Sequence, residues 1–232
     1  MKIDLMKQTP KDMAAVGKNI HEIGGRYIAY SGGLARYQSD IRGLNIEFNI
    51  HSLENQKDFK CSLQVDPVKN KQLGDLSKGS GQVTFTHEVT QCKFTNGSRT
   101  VIIRCPAPRL TMPAINDHIS DFTKIEGPGD SIQTLGDLSL TGREKNVLLV
   151  VRDDTFTGII LNGGGEHYFD PEDREELKDH QRLIIRSNYF LKIGREKFMV
   201  QLFKKGQQYW LLTEVESGVG IQCKMLETLT TL

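Results

Sequence analysis

The chain has no apolar run approaching the ~18 residues that a membrane-spanning helix needs, and its opening MKIDLMK has no apolar signal-peptide core. A cytoplasmic protein without a membrane partner is expected. Cysteine is scarce: Cys61, Cys92, Cys105 and Cys223 are scattered and form no C-x-x-C pair. That pattern argues against a disulfide framework or a standard zinc module. The four read as reduced core residues, and neither metal nor cofactor is called for. A charge excess is missing too, with Lys+Arg 30 against Asp+Glu 29, so net charge alone gives no reason to expect a polyanion partner.

Catalytic signatures are absent as well. A phosphate-cradling loop needs G-x-x-x-x-G-K-[ST] or G-x-G-x-x-G, whereas Gly163-Gly164-Gly165 runs into Glu166-His167. No G-x-S-x-G elbow or H-E-x-x-H helix occurs. The acidic set Glu166, His167, Asp170, Glu172 and Asp173 fits no zinc or calcium spacing and reads as a solvated loop. An enzyme is therefore not expected.

What is present is ordinary globular material: 232 residues, 38% hydrophobic and 25% charged. That length suits two units of about 115 residues. Charge divides between them: residues 1–115 carry 16 basic and 10 acidic side chains, and residues 116–232 carry 14 and 19. Between the halves, Pro106, Pro108 and Pro113 exclude helix and favour an extended connector. The expected division is a first domain at 1–105, a connector at 106–116 and a second domain at 117–232.

Thr9-Pro10 reads as N-cap and first helical residue of a helix over 9–23. Met13, Val16, Ile20 and Ile23 share its inner face, with Lys11 and Lys18 opposite. Asp66-Pro67 repeats the signal for a second helix ending before Gly79. There Val65, Val68, Leu73 and Leu76 are expected inside, Lys71 and Lys78 outside, and the stem of Lys69 along the core edge. Strands are expected at 26–31, 34–38, 44–50, 59–64, 82–86 and 92–104, the last turning back at Asn96-Gly97.

The second half repeats this order. Strands are expected at 118–125, 146–152, 157–161, 166–169, 182–185, 198–204, 209–214 and 218–225, with Lys205-Gly206 as a hairpin turn. Helices are expected from Ser131, with Ile132, Leu135 and Leu138 inward, and from Ser187. The fold class is α+β: duplicated domains, each an antiparallel sheet with two short helices.

Duplex DNA is held mainly through phosphate contacts, which need Lys and Arg but no particular sequence. Lys11 with Lys18 and Lys71 with Lys78 are each seven apart, so each pair shares a helix face. This is the best binding clue the residues give.

The order helix, strands, helix, strands, twice over, resembles the two-domain, trimer-forming DNA sliding clamps across nearly the whole chain. The likeness is carried by 9–23 leading to Leu44-Asn45-Ile46-Glu47-Phe48, by 59–76, by Val83-Thr84-Phe85 and by the hairpin 92–104. In the second half it is carried by 146–151, 164–169 and 186–193. The size looks most like a viral replication clamp.

The resemblance implies a homotrimeric ring around double-stranded DNA that tethers a DNA polymerase and is opened by a clamp loader, with no bond chemistry of its own. It makes Lys11, Lys18, Lys71 and Lys78 pore residues. In the second domain the helix from Ser131 presents Gln133 and Asp137, which leaves Arg143, Lys145, Lys192 and Arg195 as contacts. It also implies a partner-peptide groove under the connector at Leu110, Met112 and Pro113, with Leu226 and Leu229 from the chain end. For a viral clamp the place of action is the bacterial host cytoplasm. Two alternatives stand beside it. One is a β-rich structural or assembly protein. The other is a single-stranded DNA-binding protein using Tyr27, Tyr30, Arg36 and Tyr37.

Overall fold

Alternating apolar residues and short glycine-marked turns build most of the described residues into antiparallel sheet. A computed structural model describes residues 2–39, 43–106, 112–125, 147–152, 155–161, 166–168, 181–185, 194–217 and 220–231. Two compact units emerge: Met1–Ser39, Ile46–Ala114 and Val219–Cys223 form the first, and Asp40–Asn45, Ile115–Gly218 and Lys224–Leu232 the second.

In chain order the first half holds β1 (Lys2–Leu5), α1 (Thr9–Glu22), β2 (Tyr27–Ser31), β3 (Leu34–Ser39), β4 (Leu44–Asn49), a 3-10 turn (His51–Leu53), β5 (Lys60–Gln64), α2 (Pro67–Leu76), β6 (Val83–His87), β7 (Gln91–Asn96) and β8 (Arg99–Arg104). One sheet runs β1-β6-β7-β8, and β4, β3, β2 and β5 lie side by side in another. Asn96-Gly97 makes the expected hairpin, with Gly97 at φ +58°, a left-handed turn conformation that glycine adopts without steric cost. Core aromatics stack between the strands: Phe59 lies 4.6 Å from Phe85, and Phe85 lies 5.1 Å from Phe94, centroid to centroid.

Three details differ from expectation. Gln8, not Thr9, is the N-cap of α1; Thr9 is fully buried and donates through Oγ1 to the Ser52 carbonyl at 3.1 Å. Val68 is 63% exposed while Asn70 is buried, because the start of α2 turns its second residue outward. β1 was not foreseen, since only Leu5 of its four residues is buried. The Asp66 cap is as expected: its Oδ1 accepts from the backbone N–H groups of Val68 (2.9 Å) and Lys69 (3.0 Å).

The second half holds α3 (Ile115–His118), β9 (Thr123–Ile125), β10 (Val147–Arg152), β11 (Thr155–Leu161), β12 (Glu166–Tyr168), β13 (Gln181–Ile185), β14 (Gly194–Lys205), β15 (Gln208–Ser217) and β16 (Gln222–Thr231). β14 and β15 pair as the expected hairpin about Lys205-Gly206, and β9 joins the other side of β14. β10 lies between β11 and β13. The expected strand at 118–125 is shorter, because Ile115–His118 forms a helical turn whose Ile115 packs with Phe203, Leu212 and Leu226. The helices expected from Ser131 and Ser187 fall outside the described residues. No helix among the described residues is long and apolar enough to cross a membrane.

Candidate functional site

α1 is anchored by Met13, Val16 and Ile20, all essentially fully buried, each worth roughly 1.5–3 kcal/mol of transfer free energy. Its neighbour is α2, and small residues decide how close the two come. A methyl at Gly17 would sit 2.6 Å from Cγ of Asn70, and one at Gly74 would meet the Ala14 methyl at 3.3 Å. Larger residues there would force the helices apart.

This close packing leaves a groove of about 410 Å³ over the outer faces of α1 and α2. Lys11, Lys18, Lys71 and Lys78 all line it. The two lysine pairs, separated by some sixty residues of sequence, therefore meet at one surface of the first unit. Lys78 stands just past the end of α2, in a turn held by its N–H to the Asp75 carbonyl at 3.2 Å. The stem of Lys69 is half-buried, as expected, and takes no part.

The groove lining sets four lysines against the carboxylate of Asp75. Lys78 Nζ donates to Asp75 Oδ1 at 2.6 Å, and Lys18 approaches Glu22 at 3.8 Å. The hydrogen bond from Lys78 and its positive charge hold Asp75 below the usual carboxylate range, so the carboxylate stays charged throughout the neutral pH range. Asp75 was missed as a moderator of the patch, although its three-residue spacing from Lys78 on a helical path carried the signal. The chemistry available is multidentate, exposed ammonium binding to an extended polyanion.

Elsewhere the expected residues fare differently. Arg143, Lys145 and Lys192 lie outside the described residues, and Arg195 is the second residue of β14. Leu110 is also outside them. Met112 is half-buried and Pro113 exposed. Leu226 and Leu229 are buried, at 0% and 2% exposure; Leu226 packs with Ile115, Phe203 and Leu212, and Leu229, three residues on, falls on the other face of β16, which is shielded too. They present no surface to a peptide. Of the residues considered for single-strand stacking, Tyr30 is buried against Phe59, with burial pushing its phenol well above its ordinary pKa. Arg36 is held by Glu47 at 2.8 Å.

No protein-family model and no curated protein matches the sequence. Solved structures do match it over its full length. The Helicobacter pylori beta clamp bound to a DNA ligase peptide is 9% identical, with TM-score 0.54 over 99% of this chain and 66% of that one. The DNA polymerase sliding clamp of Pseudomonas aeruginosa is 9% identical, with TM-score 0.53 over 100% and 66%. PCNA of Thermococcus kodakaraensis is 8% identical, with TM-score 0.51 over 99% of both chains. The fold is that of the DNA sliding clamps. This clamp-like chain spans about two thirds of the bacterial clamps' length and nearly all of the archaeal one's.

Proposed function

We propose that the chain is a sliding clamp: a DNA polymerase processivity factor that closes as a homotrimer around double-stranded DNA. The observation that carries this reading is the meeting of Lys11, Lys18, Lys71 and Lys78 along one groove in a chain of clamp fold. Ammonium groups on exposed stems bind phosphates without reading sequence. Each contact is weak and salt-sensitive, so the duplex moves past them while a closed ring prevents escape. A polymerase held by the ring stays at high local concentration near the primer end after each release. The clamp needs no bond chemistry for this, and a separate loader would open it.

In such a ring, joints between copies form where sheet edges are available. β1 and β8 stand at the edges of the four-stranded sheet, and β12 at the end of the strand series in the second unit. Partner peptides would dock near Met112 and Pro113, with Leu110 beside them, and without Leu226 or Leu229. The role places the protein where the DNA is, the host cytoplasm if the clamp is viral. Burial of Tyr30 and pairing of Arg36 withdraw two of the four residues of the single-strand reading, while Tyr27 is exposed and Tyr37 half-buried.

The test is native mass across a range of concentrations, followed by polymerase stimulation on circular and linear primed templates. A trimer that stimulates synthesis on circles and is lost from free linear ends supports the proposal. A monomer or dimer at high concentration, or equal stimulation on both templates, overturns it.

A further inference from the structure

Three neighbouring strands of the first unit end on the same inner face with a soft or borderline donor. On β6 the inward series is Val83, Phe85 and His87; on β7 it is Cys92 and Phe94; on β8 it is Val101 and Ile103, continued by Cys105. Registry brings these ends together. His87 lies directly opposite Cys92, and Cys92 directly opposite Ile103, two residues before Cys105. The N–H of Cys105 donates to the Thr90 carbonyl at 2.8 Å and so extends the ladder past β8. Opposed and diagonal side chains on one sheet face are within mutual reach.

The donor atoms converge accordingly. The Sγ atoms of Cys92 and Cys105 are 3.1 Å apart, and these two sulfurs and a ring nitrogen of His87 all lie within 4.8 Å of one another. Tetrahedral zinc with its usual Zn–S and Zn–N bonds separates two sulfurs by about 3.8 Å and sulfur from nitrogen by about 3.6 Å. Zinc geometry therefore asks the sulfur pair to open by about 0.7 Å from 3.1 Å, and the sulfur–nitrogen separation lies within the 4.8 Å bound of the cluster. Cys92 is fully buried while His87 and Cys105 are half-buried, so the cluster is closed on its core side and open on the other. Stacking of the imidazole with the Phe85 ring, centroids 6.3 Å apart, fixes the ring's plane.

We propose that His87, Cys92 and Cys105 form a Cys2His site for Zn2+, with a fourth position open to water or an external ligand. Two thiolates and an imidazole suit zinc rather than a hard cation. A disulfide would engage the two sulfurs alone. Binding would pin the ends of β6, β7 and β8 to one another, immediately before Pro106.

The test uses the reduced full-length protein, with Co2+ as the spectroscopic probe and Zn2+ as the competitor. One Co2+ per chain is expected, with a thiolate-to-metal charge-transfer band and tetrahedral visible bands, both abolished by one equivalent of Zn2+. Zinc uptake should release protons as the thiols ionise. H87Q and C105S, checked for folding by circular dichroism, should each weaken binding at least tenfold, and C61A and C223A should not. Absence of the charge-transfer band from the wild-type protein overturns the site. So does a band unaltered in H87Q or C105S, or loss of both thiols to a disulfide in air that saturating Zn2+ does not prevent.

Discussion

Arg36 on β3 donates through Nε to Oε2 of Glu47 on β4 at 2.8 Å, and both side chains are largely shielded from water. The same guanidinium donates through Nη1 to the Met112 carbonyl at 3.3 Å. One arginine thus ties a strand pair to Met112, within the proline-rich connector. Arg36→Ala is expected to lower stability by about 1.5–3 kcal/mol, the range for hydrogen bonds to charged groups. Urea unfolding of Arg36→Ala, Glu47→Ala and the double variant measures it. Strictly additive effects would mean that the two residues are not coupled.

Reversing Lys11, Lys18, Lys71 and Lys78 to Glu should abolish measurable loading on DNA while leaving fold and native mass intact. Milder single Lys→Gln changes should flatten the dependence of log affinity on log salt by about 0.9 for each phosphate contact removed. An unchanged slope in all four single variants would remove the groove from DNA contact.

Asp75→Asn should act in the opposite direction. It releases Lys78 from its 2.6 Å partner and removes the carboxylate from the groove lining, so affinity for duplex DNA should rise and become more salt-dependent. Because Asp75 is held below the usual carboxylate range and stays ionised, lowering the pH from 8 to 6 should not reproduce the effect of the mutation in a His21→Gln background, which removes the histidine that also lines the groove. A fluorescence-anisotropy titration at two pH values and several salt concentrations would reveal any such mimicry.

Gly17→Ala should destabilise the protein by roughly 1–3 kcal/mol, the usual cost of overpacking, since the new methyl meets the Asn70 side chain. Asn70→Ala in that background should recover part of the loss. Asn70 Nδ2 has no hydrogen-bond partner among the described residues, so its removal sacrifices none there. Thermal unfolding of the three variants gives the answer, and a Gly17→Ala protein as stable as the wild type would contradict the close seam.

Local signals in the sequence were strong where a single residue dictates backbone geometry. Asn96-Gly97, Lys205-Gly206 and Asp66-Pro67 each announced the turn or cap found there. Readings weakened where tertiary contacts override local preference. Thr9 has the chemistry of a cap but is drawn inside by Ser52, and Ile115–His118 becomes helical around a core contact of Ile115. The lysine pairs were legible one helix at a time. That the two helices present them together was an expectation; the tight seam beneath the groove was not legible, because it depends on Gly17 and Gly74 facing residues far away in sequence. Leu226 and Leu229 looked available near the chain end, yet both lie within the ten-residue strand β16 and both of its faces there are covered. The His87, Cys92 and Cys105 spacing fits no linear zinc pattern, since registry across three strands does the gathering.

The seam between α1 and α2 leaves almost no slack at Gly17 and Gly74, so the spacing of Lys11, Lys18 and Lys71 above it is set by helix geometry, with Lys78 placed by the turn that follows α2. Lys11 and Lys18 stand about 10 Å apart along one axis at 1.5 Å per residue. Such an array behaves like the teeth of a stiff comb drawn along a surface of different pitch. Only some teeth engage at any one position, and those lost at one step are replaced by others at the next. In the proposed clamp, that mismatch would smooth the energy profile along the duplex and lower friction without lowering total charge.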